Sequence, residues 1–233
     1  MLLSAIEKSY ILLTTFDKNL YEIVFITLKI TIFSIIIASC FSIPLAIAID
    51  LMSSKSRRVL IAILNSLLAI PTVVIGLTVY MFISRSGPFG EYNLLFTPMA
   101  VVIGQIVLAI PIITTIILAG FTKTDRLLHE TLITLGANKF DLMKALFHEN
   151  KPLILSAILA GFGRVIAEVG ISMMLGGNIR GYTRTITTAI AFETGKGEFA
   201  MGISLGIILI LLAVLINFTV YLTFKNEYIL RDA

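Results

Sequence analysis

Apolar runs of membrane-crossing length, separated by a few charges, leave this 233-residue chain little choice of fold. A spanning helix needs about 20 predominantly apolar residues. Measured from charge to charge, five stretches qualify: Lys29 to Asp50, Arg58 to Arg85, Phe96 to Phe121, Pro152 to Leu175 and Phe199 to Phe224. The expectation is an all-α membrane protein of about five transmembrane helices. Composition agrees. The chain is 58% hydrophobic and 14% charged, against roughly 45–50% and about 25% in soluble domains. No polar block is long enough to bury a soluble core of its own, so residues 1–233 are read as one transmembrane domain.

Pro44, Pro71 and Pro111 fall inside spans, where proline is tolerated and kinks the helix. Residues 1–20 are different. Leu2, Leu3, Ile6, Tyr10, Leu13 and Phe16 cover one helix face, but Glu7, Lys8, Asp17 and Lys18 oppose a crossing. This segment is predicted to be an interfacial helix, with a sixth span as the alternative. Its charges make it a poor signal peptide, so it is expected to stay in the chain. Cys40, alone in an apolar run, reads as a small buried hydrophobe. His129 and His148 have no Cys or His neighbours and read as surface residues rather than metal ligands.

Lys and Arg in the loops set the orientation. Ten of them, including Lys55, Arg57 and Arg58, fall on the side of the polar segment 122–151, and seven on the other. That segment is therefore placed in the cytoplasm, with the N-terminus outside and the C-terminus inside. The net charge of +4 is dispersed over short loops, so it is no nucleic-acid signal.

Segment 122–151 is too polar to cross a membrane and too patterned to be a linker. Leu128, Leu132 and Leu135 recur at helical spacing, as do Phe140, Met143 and Phe147. Between them lies Leu135-Gly136-Ala137-Asn138. Gly136 permits a sharp turn, and Asn138 with Asp141 forms a candidate capping box for a second helix. Two readings stand: helices lying on the membrane surface, or a lever that fits a groove on a cytoplasmic partner.

The run HETLITLGANKFDLMKALFHENKPLILSAILAGF resembles the signature loop of ABC-importer permeases. Glu130 matches the acid of that signature, Gly136 its glycine and Pro152 its proline. Thr131 and Leu132 replace its two alanines, and Lys151 its leucine. The next run, GRVIAEVGISMMLGGNIRGYTRTITTAIAFET, is similar to permeases of tungstate importers and less so to those of molybdate importers. The latter favour Gly-Glu-Phe-Gly where this chain has Ala167, Glu168, Val169 and Gly170. The resemblance implies a type I ABC-importer permease fold in a prokaryotic plasma (inner) membrane. It also implies a cytoplasmic coupling helix over 122–151, with Glu130, Leu135, Gly136, Ala137, Asn138 and Phe140 seating on an ATPase. The implied partners are a second copy of the chain, two ABC ATPase subunits and an extracellular or periplasmic oxyanion-binding protein. No cofactor belongs to this chain; ATP and Mg belong to the ATPase.

Arg164 and Glu168 lie mid-span, where charges are costly and functionally suspect. At i, i+4 they can pair on one face and hold the bundle in register. Alternatively, Arg164 offers a transient site to a passing anion while Glu168 prevents trapping, with Gly170 easing pore movement. Beyond the span, Arg180, Thr183, Arg184 and Thr187 are either plain loop residues or hydrogen-bond donors of an anion vestibule.

The chain has no G-x-x-x-x-G-K-[ST] phosphate loop. Yet carrying a dianion into a negative cell costs about 4.6 kcal/mol at about 100 mV, twice the roughly 2.3 per charge. A separate ATPase would supply that energy. A molybdate permease is the nearest alternative. A channel or secondary transporter would favour paired internal repeats, and none is evident. A membrane enzyme would need clustered His, Cys or carboxylates.

Overall fold

A computed structural model describes residues 2–121 and 134–231. Glu130, the acid of the expected coupling motif, lies outside the described residues, as do Leu128, His129 and Leu132. Every regular element described is helical: α1 Leu2–Thr14, α2 Lys18–Asp50, α3 Ser54–Leu68, α4 Thr72–Ile83, a 3-10 turn Gly90–Tyr92, α5 Pro98–Phe121, α6 Lys139–Glu149, α7 Lys151–Ile166, α8 Gly170–Gly176, α9 Ile186–Gly195 and α10 Phe199–Arg231. Among the described residues three helices, α2, α5 and α10, are long and apolar enough to cross a membrane; counting the bent pairs α3/α4 and α7/α8 as one span each gives five.

The first span begins earlier than expected. Asp17 Oδ1 accepts the Leu20 N–H at 3.0 Å and caps a helix that runs 33 residues to Asp50, about 50 Å at 1.5 Å per residue. The apolar face continues through Leu20 and Ile23, buried beneath α9 and α10 with Ile186, Ala189 and Leu205. Lys29 is thus a charge within a helix, not its boundary. Cys40 is exposed rather than buried. It shares the outer surface of α2 with Phe33, Ile36 and Phe41, all exposed, and lipid is as good a solvent for that surface as a protein core.

Two expected spans are broken. The axis turns by 95° between α3 and α4, and by 64° between α7 and α8. At the first break Pro71 stands immediately before α4. It lacks an N–H and pushes Ile70 out of the helical region. Pro44 and Pro111 remain inside α2 and α5, the pair of helices in most extensive contact.

The main core gathers around α5. Ala109, Ile113 and Ile117 are fully buried against α2, α7 and α8. Lipid gives helices little hydrophobic reason to associate, so close packing at small residues does that work. A Cβ at Gly104 would lie 2.5 Å from Ile171 Cγ2 and from Leu175 Cδ1, and one at Gly161 would lie 2.7 Å from Ile113 Cγ1. Helix α1 packs on α10, where the hydroxyls of buried Ser9 and Ser204 bond at 3.0 Å; at 13 residues it is not among the spanning candidates.

Candidate functional site

Three groups of expected residues occupy distinct levels of the bundle. The Gly136 bend lies at the end where α2 finishes, since α6 contacts α2 and Leu146 joins Ile47 and Ile49 in the core. Arg180 lies at the opposite end, bonded through Nη2 to Asn19 Oδ1 in the first turn of α2. Arg164 and Glu168 lie between, at the break of the fourth span.

At the bend, Gly136 has φ +82, a backbone conformation natural to glycine and strained for other residues. Asn138 Oδ1 accepts the N–H groups of Phe140 at 2.8 Å and Asp141 at 3.0 Å. Asp141 Oδ2 returns the favour to the Asn138 N–H at 3.1 Å. The expected capping box is therefore formed, and it fixes where α6 starts. Leu142 and Leu146 bury the inner face of α6, a pair one helical turn apart that the sequence reading passed over in favour of Phe140, Met143 and Phe147. Of that expected face only Met143 packs on the core. Leu135 is 77% and Phe140 69% exposed, while Ala137 is half-buried. A capped turn thus presents two large apolar side chains to solvent.

At the break, Glu168 is 5% exposed although Arg164 is half exposed. Their ion pair is 3.4 Å long. The other carboxylate oxygen, Oε1, accepts the Gly170 N–H at 2.9 Å and the Ile171 N–H at 3.4 Å. Glu168 therefore caps α8 from just before it, satisfying donors that a broken membrane helix would otherwise leave unpaired. Thr187 Oγ1 donates to the Glu168 carbonyl at 2.8 Å, satisfying an acceptor freed by the same break. The second halves of the two broken spans meet here. A Cβ at Gly170 would come 3.1 Å from Val73 Cγ2, and one at Gly76 would come 3.4 Å from Ile171 Cα.

Beyond α8, the expected anion donors are placed unequally. Thr183 is fully buried; its hydroxyl donates to the Gly176 carbonyl and accepts the Ile179 N–H. Thr187 is 6% exposed and committed to Glu168. Neither faces a vestibule, because both hydroxyls close backbone gaps left by irregular chain. Arg184 pairs with Glu193 at 3.2 Å, and Lys196 pairs with the same carboxylate at 2.8 Å. Both cations also lie over the Phe192 ring, at 4.8 Å and 5.2 Å from its centroid. Arg180 is exposed, so of the four it alone presents its charge to solvent. Glu193 is a partner the sequence reading missed; the signal lay nine residues on, inside an apolar helix. Among the described residues no group of three or more His, Cys, Asp or Glu is placed to hold a metal.

Comparison with known proteins gives this architecture a context. Residues 42–225 match the family described as binding-protein-dependent transport system inner membrane component. The tungstate uptake system permease protein TupB of Peptoclostridium acidaminophilum is 34% identical over 210 residues, 90% of this chain and 92% of that one. TupB of Campylobacter jejuni is 36% identical over 213 residues, 91% of this chain and 89% of that one. The molybdenum transport system permease protein ModB of Escherichia coli K12 is 26% identical, covering 76% of this chain and 82% of that one. Among solved structures, a bacterial alginate ABC transporter in complex with an alginate pentasaccharide-bound periplasmic protein aligns with TM-score 0.74 at 18% identity, covering 92% of this chain and 82% of that chain. Three to five apolar spans among the described residues, a capped turn at one end and a matching family over most of the length agree: the chain belongs to the binding-protein-dependent transport system inner membrane component family and is a multi-pass inner-membrane permease subunit.

Proposed function

We propose that this chain forms the translocation pathway of an ATP-driven tungstate importer. The observation that carries the reading is similarity to two tungstate uptake permeases at 34% and 36% identity over nine-tenths of the chain. A molybdate permease is the second reading, supported by the 26% identity to ModB over 76% of the chain.

In this reading two copies pair, two ATPase subunits bind ATP and Mg, and a binding protein delivers the oxyanion. Leu135 and Phe140 seat in an apolar groove of the ATPase. Tilting of the bend moves α6, and α7 follows because only Asn150 separates the two helices. Asn150 is buried, and its side-chain amide holds the Leu146 carbonyl at 2.9 Å. Movement of α7 works against the Glu168 cap. Arg164 then offers the anion a positive charge that Glu168 already half-satisfies, so binding on the way through stays weak.

The test is uptake into proteoliposomes holding the permease, its ATPase and its binding protein. Tungstate should accumulate only with ATP, and molybdate should compete poorly. Equal competition would favour the second reading. Accumulation without the ATPase would overturn both.

A further inference from the structure

A cavity of about 650 Å3 opens at the end of the bundle away from the Gly136 bend, where α1, the first turns of α2, the end of α9 and the start of α10 meet. Its floor is apolar: Leu12, Ile23 and Met201 belong to the cluster around Leu20, Ile186 and Leu205. Its walls carry both signs of charge. Arg184 and Lys196 already share the single carboxylate of Glu193. Four other charges on the walls lack that compensation. Among the described residues Lys8, Glu22 and Glu198 take part in no ion pair, and Arg180 bonds the neutral amide of Asn19.

We propose that this cavity holds the headgroup of a phospholipid that joins a phosphate to a primary ammonium, with the phosphate against Lys8 and Arg180 and the ammonium against Glu22 and Glu198. The charge arrangement selects that chemistry. A dianion alone would answer the two cations but leave the two carboxylates of the same cavity unpaired, which is unfavourable. A zwitterion answers all four, and its N–H and phosphate groups make charge-assisted hydrogen bonds. The position selects a lipid over a free zwitterion. The cavity lies at the first turns of α2 and α10, two of the helices long and apolar enough to cross a membrane. Ile11 lines it while being 54% exposed, and Phe199, at the start of α10, is 39% exposed. Exposed Ile210, Leu211 and Val214 continue along α10, giving acyl chains a surface to follow.

The experiment is native mass spectrometry of the delipidated, detergent-purified protein titrated with phosphatidylethanolamine, phosphatidylglycerol or phosphatidylcholine, with free phosphoethanolamine and tungstate as competitors. Phosphatidylethanolamine adducts should survive activation several-fold better than the other two lipids. The glycerol headgroup leaves both carboxylates unanswered, and the choline headgroup has no N–H to donate. Neither soluble competitor should displace the lipid at millimolar concentration. Lys8→Gln and Glu198→Gln, both at exposed positions, should each lower phosphatidylethanolamine retention towards the level of the choline lipid. Equal retention of the three lipids overturns the proposal. Displacement by tungstate overturns it in favour of an anion vestibule, and displacement by phosphoethanolamine in favour of a soluble zwitterion. The wild-type series decides the matter even if a variant fails to fold.

Discussion

The two broken spans look alike in outline and differ in what breaks them. Between α3 and α4 the cause is covalent. Pro71 precedes α4 with no side-chain cap, and the helices on both sides are mostly exposed, from Val59 and Ile63 to Leu77 and Met81. Nothing polar must form for this elbow to persist, because the ring cannot donate and excludes a straight helix. Between α7 and α8 the cause is conditional. No proline is present, and the break is held by one buried carboxylate that pairs with Arg164, caps Gly170 and Ile171, and sits on a carbonyl bonded by Thr187. Ile171 and Leu175 behind it are fully buried. A covalent elbow has one state. A break held by hydrogen bonds has as many states as its partners have arrangements, so the second is the one that can move.

The largest effect should come from Glu168→Ala. It removes the cap and leaves Arg164 unpaired. Breaking a buried pair costs about 3–5 kcal/mol, and because Arg164 is half exposed we expect about 2–3 kcal/mol here. Thermal melting in detergent would show it, and Glu168→Gln, which keeps an acceptor for the Gly170 N–H, should lose less. Equal melting of the wild type and Glu168→Ala would make the two breaks equivalent and end the contrast. Gly104→Val comes next. Its Cβ alone would lie 2.5 Å from Ile171 and Leu175 side-chain carbons, and overpacking of this kind costs about 1–3 kcal/mol. It should displace α8 and slow transport, while the α3/α4 angle stays as it is; a shift of that angle instead would tie the breaks together. Pro71→Ala should change stability by under about 1 kcal/mol, since few neighbours depend on the elbow. It restores a backbone donor, so spin labels at Ile63 and Leu77 should move apart by double electron–electron resonance. An unchanged distance would show that packing, not proline, sets the bend. The smallest effect on stability belongs to Arg164→Gln, within about 1 kcal/mol for a half-exposed partner. Its signature is slower tungstate uptake with ATP hydrolysis retained, and an unaltered uptake rate would leave Arg164 a purely structural partner.

What could be read from the sequence divides along a physical line. Local chemistry was legible. The Asn138–Asp141 capping box depends on residues three apart, and Gly136 declared its turn. The Arg164–Glu168 pair was visible as i, i+4 spacing. Features settled by distant contacts were not. Pro44, Pro71 and Pro111 look equivalent as letters, yet two of them lie inside continuous helices, α2 and α5, which pack on each other. Thr183 and Thr187 read as polar loop residues, yet their hydroxyls serve carbonyls of Gly176 and Glu168, the latter 19 residues away. Lys29 looked like a boundary because a charge usually ends a span, and the cap at Asp17 with buried Leu20 and Ile23 carried the helix past it.

The central claim is that force entering at the Gly136 bend travels through α7 to the Glu168 break while the Pro71 elbow stays rigid. The direct measurement places one spin-label pair across each break, at Leu155 and Ile179 and at Ile63 and Leu77, in the reconstituted complex with its ATPase, resting and trapped with ATP and vanadate. The account predicts that the Leu155–Ile179 distance changes on trapping and the Ile63–Leu77 distance does not, and that Gly136→Val abolishes the change. Movement at the Pro71 elbow with the Glu168 break unmoved would contradict it.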